Sequence, residues 1–151
     1  MDLKKLMGSG DKIMLLTAPF LIVGLLVNML RPSLFSVGGP STALKMLSII
    51  LLIPGVIIWL WSVALILTRV PRGELITGGP YALVKHPLYT SVALLVLPGV
   101  GFLLNTWLGA LVGIVLYLAS RRFAPAEERT LATTFGAAWE EYGRRVKMPW
   151  L

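Results

Sequence analysis

The sequence contains no cysteine and a single histidine, His86. Without thiols, disulfides, thiolate metal sites and cysteine nucleophiles are excluded. One imidazole also cannot build a metal centre with several histidine ligands. No motif supports an ion held by carboxylates alone, so we assign no metal site. The chemistry of the chain must come from carboxylates, cationic side chains, aromatic rings and this one imidazole.

Charge is scarce as well. Charged residues make up 14% of the 151-residue chain, against 56% hydrophobic residues, and the mean hydropathy is +0.81. A soluble domain of this length needs more charge to cover its surface, and the apolar residues here form long blocks suited to a bilayer. The net charge is +7, but the basic residues flank the apolar blocks, which favours anionic lipid headgroups over nucleic acid as partners. We therefore expect an all-α polytopic membrane protein that forms one domain, residues 1–151.

Four apolar blocks approach the roughly 20 residues that a transmembrane helix requires. The predicted spans are Ile13–Leu30, Met46–Leu67, Leu88–Leu104 and Trp107 to about Phe123. Only Asn105 and Thr106 separate the last two spans, which predicts a tight antiparallel hairpin. The first block continues too far for a signal peptide and lacks a small-residue cleavage site, so we expect it to be retained.

The distribution of positive charge predicts the orientation. All Lys and Arg residues except Arg31 and Lys45, and all acidic residues, fall on the same side of this arrangement as the N-terminus. Because cytoplasmic loops carry an excess of Lys and Arg, both termini are expected to be cytoplasmic. The polar chemistry of the protein is expected on that side too.

A C-terminal amphipathic helix is predicted to begin at Pro125. Proline suits the first turn of a helix, and the carboxylates of Glu127 and Glu128 favour the positive end of its dipole. Apolar residues follow at helical spacing, at Leu131, Phe135, Trp139, Tyr142 and Val146. This helix is expected to lie on the membrane surface or to fold back beneath the hairpin.

The stretch "GGPYALVKHPLYTS", residues 78–91, is the most polar internal segment. Pro80 and Pro87 restrict its backbone, so that Lys85, His86 and Tyr89 are held at the mouth of the third span. Simpler interpretations remain open: a polar loop residue for His86, helix-start charges for the two glutamates, and packing for the aromatic stripe.

The ordered set "GPYALVKHPLYTS", a short hairpin and "EERTLATTFGAAWEEYGRRV" resembles the isoprenylcysteine carboxyl methyltransferase and phospholipid methyltransferase superfamily. These are integral membrane enzymes that use S-adenosylmethionine. The resemblance covers roughly residues 73–148, so residues 73–151 are expected to form the cofactor-binding half and residues 1–72 the N-terminal spans. Two positions depart from the pattern, since Lys85 replaces the usual arginine and Trp139 a tyrosine.

The resemblance implies a cofactor site on the cytoplasmic side, between the hairpin and the C-terminal helix. The residues it assigns to S-adenosylmethionine are Tyr81, Lys85, His86, Pro87, Tyr89, Glu127 and Glu128. It implies catalytic roles for Glu128 and for Arg145, which would anchor an anionic substrate head. The lipid tail of the substrate would enter from the bilayer.

Several functions remain open within this resemblance. The leading one is carboxyl methylation of an isoprenylcysteine-type acceptor, with N-methylation of a phospholipid ethanolamine as the alternative. Membrane sterol reductases that use NADPH resemble the superfamily in their C-terminal regions, but they have many more spans. A non-catalytic membrane protein on the same scaffold is the remaining alternative, and Lys85 in place of arginine is its main support.

Overall fold

The computed structural model describes residues 10–39 and 41–148. The predicted cytoplasmic lysines Lys4 and Lys5 lie outside these ranges. The α-helices are α1 Gly10–Leu30, α2 Thr42–Arg69, α3 Pro87–Ser91, α4 Leu97–Leu103, α5 Leu108–Phe135 and α6 Ala137–Arg145. A π-helical segment, Val92–Val96, joins α3 to α4, and short 3-10 turns occupy the connections. Within the described ranges there is no β-strand, only two isolated bridges, so the all-α prediction is confirmed.

Three helical segments are long and apolar enough to cross a membrane: Gly10–Leu30, Thr42–Arg72 and Leu108–Phe135. The predicted third span is also helical, but the apolar helix Pro87–Leu103 is shorter than the other three. At 1.5 Å per residue it is about 25 Å long, whereas the hydrocarbon core is about 30 Å thick. The chain is an integral membrane protein, and a count of four complete spans remains a prediction.

Glycines let the two helices of the predicted hairpin approach closely. A side chain at Gly109 would overlap the carbonyl oxygen of Leu97, and one at Gly113 would overlap that of Ala93. Small residues four apart are a common means of bringing membrane helices into backbone contact. The turn between α4 and α5 falls at residues 104–107, where Asn105 takes a φ of 57°.

The other two long helices pack on opposite members of this hairpin. On α1, Gly24 makes room for the side chain of Leu108, at the start of α5. On α2, Ser48 is fully buried and its hydroxyl donates a hydrogen bond of 2.7 Å to the carbonyl oxygen of Gly99 in α4. Such a hydroxyl satisfies its polarity where no water is available, and it fixes the register of α2 against α4.

Prolines are accommodated inside these helices. The π-helical segment ends at Val96, close before Pro98, and its wider turn relieves the clash between the proline ring and the carbonyl of Leu94. The prediction that a helix begins at Pro125 is wrong, because α5 continues through this residue to Phe135. Proline there removes one backbone hydrogen bond, that to the carbonyl of Arg121, and Arg121 is exposed. The break comes instead at Gly136, whose φ of +50° favours glycine.

The helices are held together at both ends of the bundle. At one end, the loop after α1 meets the turn of the hairpin. Trp107 donates from its backbone amide to Phe35 (2.9 Å) and from its indole nitrogen to Leu34 (3.2 Å). At the other end lie the start of α1, the end of α2, residues 73–86 and α6. The polar segment singled out in the sequence belongs to this second end.

Candidate active site

The segment before α3 has a defined backbone. A 3-10 turn covers Gly79–Ala82, and the amides of Leu83 and Val84 both donate to the carbonyl oxygen of Pro80, at 3.1 and 3.2 Å. Gly79 takes a φ of +61°, a conformation that a side chain would strain. These features confine the segment and fix where Lys85 and His86 leave it.

Glu128 of α5 joins Lys85 and His86. Its Oε2 atom accepts a hydrogen bond from Lys85 Nζ at 2.9 Å, and its Oε1 atom lies 3.2 Å from His86 Nε2. The side chains are exposed by 16% for Lys85, 11% for His86 and 27% for Glu128. Charged hydrogen bonds in such a shielded place are stronger than surface ion pairs. The cluster therefore joins the polar segment to α5 across more than 40 residues of sequence.

A cavity of about 200 Å³ lies beside this cluster. Its wall is formed by five helices, at the starts of α1 and α3, the ends of α2 and α5, and α6, and by the segment 70–86 between α2 and α3. Its ionisable and aromatic lining comprises Asp11, Glu74, Tyr81, Lys85, His86, Tyr89, Glu127, Phe135 and Trp139. Its apolar lining includes Ile66, Val70, Leu75, Ile76, Leu88 and Leu131. A cavity with apolar walls and several convergent polar groups is typical of a small-molecule site.

Aromatic rings surround the cationic end of the cluster. The Lys85 ammonium lies 5.8 Å from the centroid of the Trp139 ring, within reach of a cation–π interaction. Trp139 in turn packs on Tyr142, with 5.3 Å between ring centroids. The Tyr89 ring lies 6.4 Å from the His86 ring. The cavity thus has both anionic groups and aromatic faces, which together suit a cationic ligand.

Two tyrosines keep their protons at this site. Burial, then the negative charge of Glu127 and the neighbouring phenols, raises the pKa of the Tyr81 phenol above its usual range. Burial and the charge of Glu128 raise the pKa of Tyr142 in the same direction. Both side chains are therefore neutral at physiological pH. The Tyr142 hydroxyl donates a 2.9 Å hydrogen bond to the backbone carbonyl of Tyr81.

The structure brings together most of the residues that the sequence singled out. Tyr81, Lys85, His86, Tyr89 and Glu127 line the cavity. Glu128 reaches it through Lys85 and His86. The adjacent glutamates therefore differ, since Glu127 faces the cavity whereas Glu128 holds two of its lining residues.

Besides Glu128, which contacts the cavity only through its partners, two predicted site residues do not line it. Pro87 is buried at the first position of α3, where it fixes the exit of the chain from His86. Arg145 lies near the end of α6 with 66% of its side chain exposed, and its guanidinium is 3.7 Å from Glu141, one turn earlier. A role for Arg145 inside the cavity is not supported by this placement.

Sequence reasoning missed Asp11 and Glu74 as cavity residues. The charge distribution placed both on the predicted cytoplasmic side, but it carried no signal that α1 and the end of α2 would reach the cavity. Gly10 explains part of the approach, because a side chain there would lie 3.3 Å from the Tyr89 hydroxyl. The first helix is thus part of the site.

The profile of the isoprenylcysteine carboxyl methyltransferase family matches residues 44–133 of the chain. The protein belongs to this family. The match begins within α2, well before the residue 73 predicted from the motifs, and it contains Lys85, His86 and both glutamates. It ends before Trp139, Tyr142 and Arg145. No curated protein sequence and no solved structure matches the chain significantly.

Membership in this family makes the chain a membrane methyltransferase by family. The motifs of the polar segment and of α5 both lie within the matched residues. In the structure these two parts of the chain meet at one cavity. In contrast, α1 and α6 contribute cavity residues from outside the matched region.

Proposed function

We propose that the protein transfers a methyl group from S-adenosylmethionine to a lipophilic acceptor at this cavity. One observation carries the proposal: in a member of this family, Lys85 and His86 converge with Glu128 beside a cavity at one end of the membrane helices. A membrane helix that brings ionisable residues to such a place usually does so for function.

The lining residues fit the cofactor chemically. When bound, S-adenosylmethionine supplies an electrophilic methyl group on a sulfonium, which is a cation. Carboxylates such as Glu127 and Asp11, with the faces of Tyr89 and Trp139, suit a sulfonium or an ammonium. Lys85 is the lining cation suited to the carboxylate of the amino-acid part. Tyr81 and Glu127 provide hydrogen-bonding groups for hydroxyls.

The volume limits how the cofactor is held. The cavity of about 200 Å³ is below the roughly 300–1,000 Å³ of typical small-molecule pockets. A molecule as long as S-adenosylmethionine would occupy it with one part and extend through its opening. The ordered side chains around it would then orient the part inside.

For a carboxylate acceptor, little proton chemistry is needed. An ionised carboxylate is already a nucleophile, so these residues contribute chiefly positioning and exclusion of water. The apolar lining from the end of α2 and the turn after it, Ile66 and Val70, gives the cavity a hydrophobic side suited to a lipophilic acceptor. Family membership favours an isoprenylcysteine-type carboxylate as this acceptor.

The charge of the lining favours a second candidate, an amine acceptor such as a phospholipid ethanolamine. Asp11, Glu74 and Glu127 bring negative charge to the cavity, whereas Lys85 already pairs with Glu128. Glu74 is also paired, with Arg69 at 2.6 Å. Negative lining attracts an ammonium and repels a carboxylate. An ammonium must lose a proton before it reacts, and His86 with Glu128 is the cluster placed to accept it.

The active site is proposed to face the cytoplasm, with both termini on that side. In the described part of the chain, Arg31 and Lys45 lie toward the opposite end of the bundle, and the remaining Lys and Arg residues lie toward the cavity end. Cytoplasmic loops carry such an excess of positive charge. A cytoplasmic site would also give a water-soluble cofactor direct access.

Calorimetric titration of the detergent-purified protein with S-adenosylmethionine and with NADPH tests the proposal. Heat of binding with S-adenosylmethionine alone is the expected result, whereas binding of NADPH alone would overturn it in favour of a reductase. Methylation of lipid extracts with labelled cofactor, followed by identification of the product, then distinguishes a carboxylate acceptor from an amine.

His86→Ala is expected to weaken cofactor binding roughly 10-fold. The substitution removes one hydrogen-bond partner of Glu128 and one wall of the cavity, and a hydrogen bond to a charged group contributes about 1.5–3 kcal/mol. Calorimetry measures the affinity, and the helical circular dichroism signal checks that the fold is retained. Unchanged affinity would mean that the cofactor site lies elsewhere.

Arg145→Ala separates cofactor binding from acceptor binding. The exposed guanidinium lies outside the cavity, so we expect unchanged affinity for S-adenosylmethionine. If Arg145 anchors an anionic acceptor head at the membrane surface, KM for that acceptor rises and kcat is retained. Unchanged KM would remove Arg145 from the site.

A further inference from the structure

The segment that carries Lys85 and His86 is attached to the C-terminal part of the chain at two places. The Tyr142 hydroxyl of α6 donates to the carbonyl oxygen of Tyr81 at 2.9 Å. Beyond the end of α6, the amide of Met148 donates to the carbonyl of Leu83, also at 2.9 Å, and Val84 and Met148 form an isolated parallel bridge. Residues 137–148, which we call the C-terminal strap, thus bond to the backbone of the residues just before Lys85 and His86.

The strap is buried at Tyr142 and Val146, half-buried at Met148 and exposed at its charged residues. Tyr142 is 3% exposed and Val146 is 6% exposed, whereas Glu140, Glu141, Arg144 and Arg145 are exposed. Burial strengthens a hydrogen bond and makes its loss costly, because an unpaired carbonyl would have to be solvated. The inner face of the strap therefore holds the segment, and its charged residues lie on the outer face.

We propose that Tyr142 is a positioning residue of the active site. It acts through the Tyr81 carbonyl, fixing the turn from which Lys85 and His86 reach Glu128. The Tyr142 hydroxyl is not among the groups that line the cavity, but its ring packs on Trp139, which does. The Tyr142 side chain thereby connects Trp139 of α6 with the segment that carries Lys85 and His86. The expected effect on cofactor binding rests on the proposed function, whereas the attachment of Tyr142 to Tyr81 does not.

Tyr142→Phe tests the proposal by removing one hydroxyl and keeping the ring. Hydrogen exchange of the amides in residues 82–86 is expected to accelerate roughly 2- to 10-fold, the effect of one net hydrogen bond. The dissociation constant for S-adenosylmethionine should rise by a similar factor, with kcat at saturating cofactor retained. Tyr117→Phe is the matched control, because Tyr117 lies on α5 and does not line the cavity.

Met148 gives an independent pair of variants. Met148→Pro removes the amide that donates to Leu83, whereas Met148→Ala keeps it. Only the proline variant should accelerate exchange in the segment and weaken cofactor binding. An equal effect of both variants would assign the result to the side chain and contradict the attachment.

The outcomes separate the two proposals. If exchange in the segment is unchanged in Tyr142→Phe, or if it rises while cofactor affinity stays the same, Tyr142 is not a positioning residue. A fall in unfolding temperature together with losses in both affinity and kcat would assign it a merely structural role. If exchange rises as expected but the unmodified protein binds no S-adenosylmethionine, the attachment stands and the proposed function fails.

Discussion

Replacing Glu128 by alanine is expected to weaken S-adenosylmethionine binding roughly 30- to 150-fold, the largest effect of any single substitution at the site. Both oxygens of this carboxylate have partners, Lys85 at 2.9 Å and His86 at 3.2 Å. Loss of hydrogen bonds to charged groups costs about 2–3 kcal/mol, which corresponds to that range of affinity. Lys85 and His86 would remain shielded from water without their anionic partner. Calorimetry with the purified protein measures the change.

Two further variants test whether the charge of Glu128 is the cause of the lost affinity. Glu128→Gln keeps the shape and one acceptor but removes the charge, so an intermediate loss of affinity is expected. Glu141→Ala is the control, because this glutamate is 63% exposed on α6 and pairs only one turn away with Arg145. If Glu128→Ala instead bound the cofactor more tightly, Glu128 would be competing with it for Lys85, and the proposed role of the carboxylate would be reversed.

The membrane helices could be predicted because hydropathy is a strong signal over 20 residues. Predicted span Met46–Leu67 lies within helix Thr42–Arg69, and the turn predicted at Asn105 and Thr106 lies between α4 and α5. The boundary at Pro125 was wrong for a physical reason. Proline favours the first turn of a helix. Inside a long helix it costs one hydrogen bond and a clash of its ring with the carbonyl four residues earlier, and solvent at the exposed Arg121 can offset the lost hydrogen bond.

The sequence predicted the site residues that belong to motifs, but not all the residues that line the cavity. Residues Lys85, His86 and Glu127 came from a pattern in the second half of the chain, and all three line the cavity. Two adjacent glutamates do not indicate which of them a helix turns toward a cavity. The different positions of Glu127 and Glu128 could therefore be found only in the structure. Asp11 has no motif at all. Its place at the cavity follows from the packing of α1 on α5, which depends on contacts such as that of Gly24 with Leu108.

The position of the site at one end of the bundle depends on the hairpin beneath it. His86 directly precedes α3, and Glu128 lies in the last third of α5. The distance between them is therefore set by how α3, the π-helical segment and α4 pack on α5. Gly113 of α5 is part of this packing, since its neighbour across the interface is the backbone of Ala93 in the π-helical segment. A change at Gly113 is consequently a test of both fold and function.

Gly113→Leu is expected to lower the free energy of unfolding by about 1–3 kcal/mol, the usual cost of overpacking a close interface. The added side chain meets the Ala93 carbonyl, a backbone atom that cannot rotate away, so the two helices must separate. Unfolding of the detergent-solubilised protein by a denaturing detergent measures the change. Because separation would also move His86 relative to Glu128, cofactor affinity should fall in the same variant.

An alanine pair provides the matched control for this prediction. Gly113→Ala adds only the overlapping atom and should destabilise the protein in the same direction as leucine. Gly143→Ala makes the identical change on α6, where an added side-chain carbon has nothing within 4 Å. The latter should be neutral or stabilising by up to about 1 kcal/mol, because alanine favours a helix over glycine. Equal stability of the two alanine variants would show that the π-helical segment and α5 do not approach through Gly113. Another interface would then have to bring His86 to Glu128.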